Sequence, residues 1–229
     1  MMNTSDRLKI RNNLLEIRQR IEAAAQKSCN TTKDIVLIAV TKTIDTDRMK
    51  LLVNEGSIDF GENKVQELMS KYDSFGEDIR WHLIGHLQTN KVKYVIGKTE
   101  LIHSVDSLNL LREIDKRAHK LGIVQKVLLQ VNVSGEATKY GFKTSDIEDV
   151  IELSKEMQSV LVKGLMTMAP NYKNPEETRP VFRDLKSLFD NLSKKHFGME
   201  YLSMGMTNDF EVAIEEGANM IRLGTAIFR

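Results

Sequence analysis

The spacing of hydrophobic residues changes after about residue 30 of this chain. Between residues 4 and 27 the apolar positions follow one another at alternating steps of four and three: Ile10, Leu14, Ile17 and Ile21. This spacing predicts an amphipathic helix with a single apolar stripe. Residues 35–40 instead form an unbroken apolar run rich in β-branched side chains, which is typical of a strand covered by helices on both faces.

The strand-like run is repeated along the chain in alternation with helical segments. Strand-like runs occupy residues 35–40, 58–60, 81–84, 101–105, 127–133, 162–168, 201–204 and 220–227. Helical segments occupy residues 46–55, 64–72, 90–96, 108–121, 145–158, 176–195 and 209–216. This alternation predicts parallel strands with right-handed crossovers, and about eight such strands close a barrel. We therefore predict an α/β fold, a single (β/α)8 TIM-barrel domain over residues 1–229, with an extra N-terminal helix at about 4–27.

An open, doubly wound sheet is the alternative architecture. Its usual nucleotide-binding fingerprint is G-x-G-x-x-G after the first strand. That motif is absent, because the chain continues from Val40 as Thr41-Lys42-Thr43. The barrel is therefore the better interpretation of the pattern.

Composition argues against several classes of protein. The 33 Lys and Arg residues balance 32 Asp and Glu residues, and nucleic-acid binders usually need a basic surplus. The single cysteine, Cys29, permits no internal disulfide and suits a reducing compartment. The polar N-terminus does not resemble a secretory signal, and no apolar run approaches the ~20 residues that span a bilayer. We expect a cytoplasmic protein that binds neither nucleic acid nor membrane.

Lys42 follows the first strand directly. In a barrel of this type the functional face lies at the carboxyl ends of the strands. A lysine that leaves an apolar run there is either a desolvated amine that forms a Schiff base with an aldehyde, or an ordinary polar residue that enters solvent. Position alone leaves both interpretations open, and polar residues are common at strand ends.

Small and hydroxyl-bearing residues follow the seventh and eighth strands. Ser203 and Gly205 close the seventh strand, while Gly224 and Thr225 follow the eighth, with Arg222 just before them. Barrels often bind phosphate with these two loops, where glycines admit the ligand close to the backbone and hydroxyls and helix N-termini donate hydrogen bonds. Each residue alone is more often an ordinary turn or cap. A phosphate cradle and a strand-end lysine are predicted in the same barrel mouth. Ordinary turn residues would rarely produce both together, so the combination favours a binding site.

Other polar residues reach the same rim. Asn63, after the second strand, is a candidate hydrogen-bond partner for a ring substituent of a ligand, although a structural role is more common. His82 and His86 do not form a chelating pair, because four residues along a strand span ~13 Å. With one cysteine and no clustered carboxylates, we expect no metal site. A serine hydrolase is unsupported, because no G-x-S-x-G motif occurs.

Six blocks of the sequence, in order along nearly the whole chain, resemble the pyridoxal phosphate homeostasis proteins. They are Ala39-Val40-Thr41-Lys42, Phe60-Gly61-Glu62-Asn63, residues 82–91 (HLIGHLQTNK), Gly164-Leu165-Met166, Leu202-Ser203-Met204-Gly205-Met206, and residues 222–228 (RLGTAIF). Each block alone is weakly specific, whereas the six together are highly specific.

The resemblance implies the barrel of the alanine racemase N-terminal domain, with pyridoxal 5′-phosphate (PLP) as the cofactor. It implies a Schiff base between PLP and Lys42, and phosphate contacts from Ser203, Gly224 and Thr225. By analogy with the racemase, Arg222 is expected near the pyridine nitrogen. A guanidinium there keeps its proton, so the ring stays unprotonated and is a poorer electron sink.

This chain departs from the family pattern at two points. Thr207 stands where a serine is expected, which keeps the hydroxyl. The chain ends at Arg229, where relatives are expected to continue through a short tail.

The resemblance implies a protein that carries or buffers PLP in vitamin B6 homeostasis, without a catalytic site, and with apo PLP-dependent enzymes as candidate recipients. The alternative is a PLP-dependent amino-acid racemase or a related enzyme with weak activity. A racemase needs a second acid–base group on the opposite face of the ring. In barrel racemases, a tyrosine from an additional β domain of the partner subunit supplies it. Here the barrel accounts for almost all residues, so we expect a non-enzymatic monomer. A third hypothesis is a phosphate-ligand or protein-interaction module without a covalent cofactor.

Overall fold

Eight parallel strands form a closed barrel in the computed structural model of this chain, in the sequential order β1 to β8. The structure describes residues 4–28, 35–75, 79–136 and 138–229. The single cysteine, Cys29, lies outside these residues.

The strands and helices alternate as the hydrophobic pattern predicts. The strands are β1 (Val36–Val40), β2 (Asp59–Glu62), β3 (Arg80–Leu83), β4 (Leu101–Val105), β5 (Gln125–Gln130), β6 (Val160–Met166), β7 (Tyr201–Ser203) and β8 (Met220–Leu223). The helices are α1 (Thr4–Ala25), α2 (Thr46–Asn54), α3 (Val65–Tyr72), α4 (Val92–Val95), α5 (Leu108–Leu121), α6 (Ile147–Ser154), α7 (Arg179–Lys195), α8 (Phe210–Glu215) and α9 (Thr225–Phe228). The predicted barrel and its extra N-terminal helix are confirmed.

The last predicted strand, 220–227, is too long. Strand β8 ends at Leu223, and the apolar residues after Gly224 form the short helix α9. The side chain of Asn13 in α1 donates hydrogen bonds to the carbonyl oxygens of Ile227 and Arg229, each at 2.9 Å. These apolar residues therefore pack against α1 instead of extending the barrel, which a strand pattern alone does not reveal.

Helix α1 packs against the outside of the barrel with its predicted stripe. The four residues of that stripe are all buried: Ile10, Leu14, Ile17 and Ile21. On its polar side, Arg20 donates to both carboxylate oxygens of Glu211 in α8, at 2.9 and 2.8 Å. Among the helices that the structure describes, none combines the length and apolar character needed to cross a bilayer.

Two separate sets of apolar side chains fill the fold. The larger set lies between strands and helices, and the smaller lines the barrel lumen: Ile38, Leu101, Leu128, Met166 and Met220. Side chains alternate between the two faces of a strand. Extending this alternation from Ile38 places Lys42 on the lumen side at the carboxyl end of β1.

Candidate functional site

Lys42 lies in a tight turn at the carboxyl end of β1. The N–H of Thr41 donates to the carbonyl oxygen of Gly61 (3.0 Å), and the N–H of Ile44 donates to the carbonyl oxygen of Thr41 (2.9 Å). Thr43 has a φ of 64°, a left-handed conformation that β-branched residues rarely adopt. The side chain of Lys42 is exposed and has no hydrogen-bond or ion-pair partner among the residues that the structure describes. The turn therefore presents a free amine at the mouth of the barrel.

A buried ion pair behind the turn fixes Thr41. Glu62 Oε1 accepts hydrogen bonds from Lys71 Nζ and Thr41 Oγ1, both at 2.7 Å, and Lys71 Nζ also donates to the carbonyl oxygen of Thr41 at 2.8 Å. Burial raises the pKa of Glu62, while the contacts with Lys71 and Thr41 act in the opposite direction. We call Glu62, Lys71 and Thr41 the clamp. Because the clamp buries two charges, removing either one would leave the other without its partner.

Gly224 and Thr225 lie beside the same turn. Strand β1 pairs with β8 in a register that sets Ala39 opposite Leu223, which brings Gly224 next to Val40. A Cβ atom at Gly224 would lie 3.2 Å from the carbonyl oxygen of Val40, so the backbones approach closely here. Thr225 is exposed and begins α9, where the N–H of Ile227 donates to the carbonyl oxygen of Gly224 (2.9 Å). The structure thus places Gly224 and Thr225, two of the three predicted phosphate contacts, beside β1, the strand that precedes Lys42.

Ser203 lies elsewhere, inside the barrel. Its hydroxyl oxygen accepts a hydrogen bond from the guanidinium of Arg222 (2.6 Å) and lies 3.0 Å from Nδ1 of His103. Thr207, in the loop after β7, instead accepts a hydrogen bond at Oγ1 from the N–H of Ala226 in α9 (3.4 Å). The phosphate contact from Ser203 stays a prediction, and its hydroxyl is engaged elsewhere. In the loop after β7, the hydroxyl that contacts α9 is that of Thr207. In the sequence this residue stood out only because the family pattern has a serine there.

Arg222 is a buried cation in the lumen. Its guanidinium donates to Ser203 Oγ (2.6 Å) and to the carbonyl oxygen of Thr167 (2.9 Å). Across the described ranges, no carboxylate lies within ion-pair distance of it. Burial lowers the pKa of Arg222 to about 10 while the charge of Asp209 acts in the opposite direction, so the group stays charged at neutral pH. A buried cation without an ion-pair partner is costly, and such perturbed groups concentrate at functional sites.

Asn63 is held in place by the loop after β3. A Cβ atom at Gly85 would lie 2.2 Å from the carbonyl oxygen of Asn63, so only glycine permits this contact. The hydroxyl of Ser104 donates to the carbonyl oxygen of Gly85 (2.6 Å), which fixes the loop. The half-buried side chain of Asn63 has no hydrogen-bond partner in the described parts of the chain. It is therefore positioned and uncommitted, as a ligand-binding amide must be.

Replacing Gly85 with alanine is expected to displace Asn63. The new methyl group would overlap the backbone of Asn63, and overpacking of this kind costs about 1–3 kcal/mol. We expect a lower free energy of unfolding in urea and a large shift of the Asn63 amide signal in the NMR spectrum. The control is Gly122→Ala, at a φ of 66° with no atom within 4 Å of the added Cβ. It should lower stability without moving the Asn63 signal, and an unmoved signal in Gly85→Ala would contradict the contact.

A chain of buried polar side chains crosses the lumen. Asp59 Oδ1 lies 2.9 Å from His82 Nε2, His82 Nδ1 lies 3.0 Å from His103 Nε2, and the chain continues through Ser203 to Arg222. We call these five residues the lumen relay. No motif in the sequence indicates this chain of contacts. Alternation along the strands could have indicated it, because each member stands at a lumen-facing position of its strand.

The stability of the protein is expected to fall as the pH drops below 6.5, because His103 cannot take up a proton. Burial lowers the pKa of His103 well below its ordinary 6.5, and the positive charge of Arg222 lowers it further. Below 6.5 the unfolded chain therefore binds a proton that the folded chain does not, and stability is lost at up to about 1.4 kcal/mol per pH unit. Urea unfolding of wild type and His103→Gln between pH 7.5 and 5.0 tests this.

His103→Gln should show a shallower loss than wild type, whereas His119→Gln, at an exposed position on α5, should keep the wild-type slope. Equal slopes in all three proteins would contradict a neutral, buried His103.

The rim of the barrel carries a second histidine with partners of its own. His86 Nδ1 lies 2.8 Å from a carboxylate oxygen of Asp106, and its ring stacks on Tyr140 with centroids 4.0 Å apart. His82 and His86 therefore serve separate networks. In the part of the chain that the structure describes, no group of three His, Cys, Asp or Glu residues is arranged to hold a metal ion.

The chain is similar in sequence to proteins that are named for a cellular role. The family model of the alanine racemase N-terminal domain matches residues 6–229. The pyridoxal phosphate homeostasis protein of Aquifex aeolicus is 44% identical over 229 residues, covering 99% of this chain and 98% of that protein. The likeness therefore extends over nearly the full length of both chains.

Solved structures share the barrel. PipY of Synechococcus elongatus, in a structure with PLP bound, has a TM-score of 0.83 and 30% identity, covering 96% of this chain and 100% of that chain. Alanine racemase of Clostridium difficile 630, in complex with cycloserine, has a TM-score of 0.76 and 18% identity, covering 96% of this chain and 58% of the racemase. The likeness to the racemase shows the fold alone.

Proposed function

This chain belongs to the pyridoxal phosphate homeostasis proteins, within the alanine racemase N-terminal domain family, and on that premise we propose that it binds PLP at the mouth of its barrel and carries or buffers the cofactor. The observation that carries the proposal is the free amine of Lys42, held on a clamped turn beside Gly224 and Thr225. The PLP-bound structure of PipY, a relative with the same barrel, supports the choice of ligand.

Lys42 is the covalent attachment point in this proposal. PLP supplies an aldehyde that an amine can attack and a ring that withdraws electrons. The Nζ atom of Lys42 forms a bond to the aldehyde carbon and the aldehyde oxygen leaves as water, so a Schiff base links the two. The clamp holds the turn at Thr41, one residue before Lys42, so the backbone that carries the amine is fixed in position.

The phosphate is held on the other side of the mouth. Gly224 lets the ligand approach the backbone, while Thr225 and Thr207 offer hydroxyl groups beside the start of α9. Ser203 acts in this proposal through its hydrogen bond to Arg222. Of the contacts predicted from the sequence, Gly224 and Thr225 keep their role and Thr207 is added.

Arg222 and Asn63 serve the ring. The guanidinium of Arg222 keeps its proton at neutral pH and donates hydrogen bonds, so it leaves the pyridine nitrogen unprotonated. An unprotonated ring withdraws fewer electrons, which disfavours the reactions that need a strong electron sink. The free side-chain amide of Asn63 is positioned to bond a ring substituent.

The enzyme alternative rests on one observation, the exposed acid–base groups at the rim. His86 pairs with Asp106 and stacks on Tyr140, and such groups move protons in many active sites. The carrier role is favoured because the relatives are named for homeostasis. We propose that the protein has no dedicated catalytic site.

Titration of the apo protein with PLP separates the hypotheses. We expect the visible absorbance of an imine to appear at one equivalent of PLP. Pyridoxine 5′-phosphate, which lacks the aldehyde, should compete for the site without giving that absorbance. Racemisation and transamination of common amino acids should stay at the rate of free PLP. Rapid turnover would overturn the carrier role, and binding of both compounds without imine absorbance would favour a phosphate-binding module.

The proposal extends to partners and assembly. We propose that the protein acts as a monomer in the cytoplasm and that apo PLP-dependent enzymes receive the cofactor from it. Sedimentation of the PLP-loaded protein tests the monomer. Reactivation of a purified apo transaminase, at a rate faster than release of PLP into buffer, tests direct delivery.

A further inference from the structure

The lumen relay joins two opposite ends of the barrel. Asp59 begins β2, where Arg80 also donates to both of its carboxylate oxygens at 2.8 and 2.6 Å. A small cavity of about 40 Å³ opens there, lined by Asp59 and His82. Arg222 is the third residue of β8, at the end that carries Gly224 and Thr225. The relay therefore runs from the N-terminal end of the barrel to the proposed cofactor site.

Hydrogen bonds along the relay can be donated in only one direction if every proton is to have an acceptor. Ionised Asp59 only accepts, so Nε2 of His82 carries a proton and donates to it. In neutral His82 the other nitrogen, Nδ1, then accepts from Nε2–H of His103. Nδ1 of His103 accepts in turn from the hydroxyl of Ser203, whose oxygen accepts from Arg222. Both histidines are therefore neutral Nε2–H tautomers.

The reverse direction leaves a buried proton unsatisfied. If His103 donated from Nδ1, the oxygen of Ser203 would accept from both His103 and Arg222, and the hydroxyl proton would have no remaining acceptor in the relay. Ser203 and His103 have no solvent-exposed surface, so water does not replace the missing acceptor. An unmet buried donor costs about 1–3 kcal/mol in free energy, which selects the first direction.

We propose that the lumen relay holds the guanidinium of Arg222 at the cofactor site, with Ser203, His103, His82 and Asp59 as positioning residues. A positive group at one end, a negative group at the other and aligned hydrogen bonds between them form a polarised chain. This inference rests on the proposed function for its consequence, because Arg222 acts on the cofactor ring, but the relay itself is a property of the protein alone.

The tautomers of the two histidines test the relay without any cofactor. Long-range ¹H–¹⁵N NMR spectra of the apo protein should show His82 and His103 protonated at Nε2 and unprotonated at Nδ1. Ser203→Ala removes the proton donor to Nδ1 of His103 but leaves Nε2–H donating to His82, so His103 should keep its tautomer while its ¹⁵Nδ1 signal shifts. A doubly protonated ring, or an Nδ1–H tautomer of either histidine in wild type, would overturn the proposal.

The effect of the relay on PLP binding is tested by a substitution at Asp59, the end of the relay far from the proposed cofactor site. Asp59→Asn keeps an oxygen acceptor for His82 but removes the charge, so we expect the PLP dissociation constant to rise about tenfold and the absorbance maximum to shift. The control is Glu100→Gln, which lines the same cavity but pairs with Lys126 outside the relay. It should change neither quantity.

The two proposals fail in distinguishable ways. Wild-type protein that takes up no PLP would overturn the proposed function, while the tautomers would still decide the relay. If wild type binds PLP but Asp59→Asn binds with the same dissociation constant and absorbance as Glu100→Gln, the positioning role of the relay is wrong.

Discussion

Replacing Lys42 with alanine is expected to abolish the imine absorbance of the PLP-loaded protein and to weaken PLP binding by about a hundredfold or more, which corresponds to about 2.7 kcal/mol. The physical reason is that the covalent bond is lost while the phosphate contacts remain. In the structure the amine of Lys42 has no partner within the described ranges, so its removal breaks no internal contact. The variant should therefore fold with wild-type stability in urea.

The matched control for this variant is Lys155→Ala. Lys155 is also exposed and follows α6, where its amine is 2.8 Å from Glu152 in a surface ion pair. This control should keep the absorbance and the affinity of wild type. If Lys42→Ala retained the absorbance, another amine would carry the cofactor and the assignment of Lys42 would be wrong.

Replacing Lys71 with methionine is expected to lower the free energy of unfolding by about 3–5 kcal/mol. Glu62 has no solvent-exposed surface, and Lys71 is the one cation within ion-pair distance of it among the described residues. Methionine fills the space of the lysine but leaves the carboxylate buried without its counter-charge. The carbonyl oxygen of Thr41 also loses its donor, so PLP attachment to the turn should slow.

A double-mutant cycle isolates the charge. Glu62→Gln together with Lys71→Met removes both charges and keeps the contact with Thr41, so most of the lost stability should return. Urea unfolding of wild type, the two single variants and the double variant measures the coupling. Equal stability of Lys71→Met and the double variant would show that the buried charge is not what the lysine stabilises.

Much of the fold could be predicted because its signals are local. Helix α5 spans residues 108–121 both in the prediction and in the structure. Ser107 precedes it as an N-cap whose hydroxyl accepts from the N–H of Leu110, and Gly122 ends it at a φ of 66°. The apolar run of β1 is an equally local signal. The end of β8 was not, because the same apolar residues satisfy either a longer strand or a contact with α1, and only the tertiary structure decides.

Some residues of the candidate site could likewise be placed from the sequence, and others could not. Lys42, Gly224 and Arg222 could be placed from the sequence, because strand ends and pairing order bring them to one mouth. The role of Ser203 depends on where β7 stops, since the strand ends at that residue and the hydroxyl points into the lumen. The clamp could not be predicted, because the pairing of Glu62 with Lys71 joins a strand to a helix and leaves no periodic signal.

The most direct test of the central claim is borohydride reduction of the PLP-loaded protein followed by tryptic mass mapping. Reduction makes the bond between the cofactor and the amine permanent, and trypsin does not cleave after a modified lysine. The account predicts the mass of one pyridoxyl phosphate on the fragment of residues 34–48, which contains Lys42 as an uncleaved site. Added mass on a different lysine, or no added mass with PLP in excess, would contradict it.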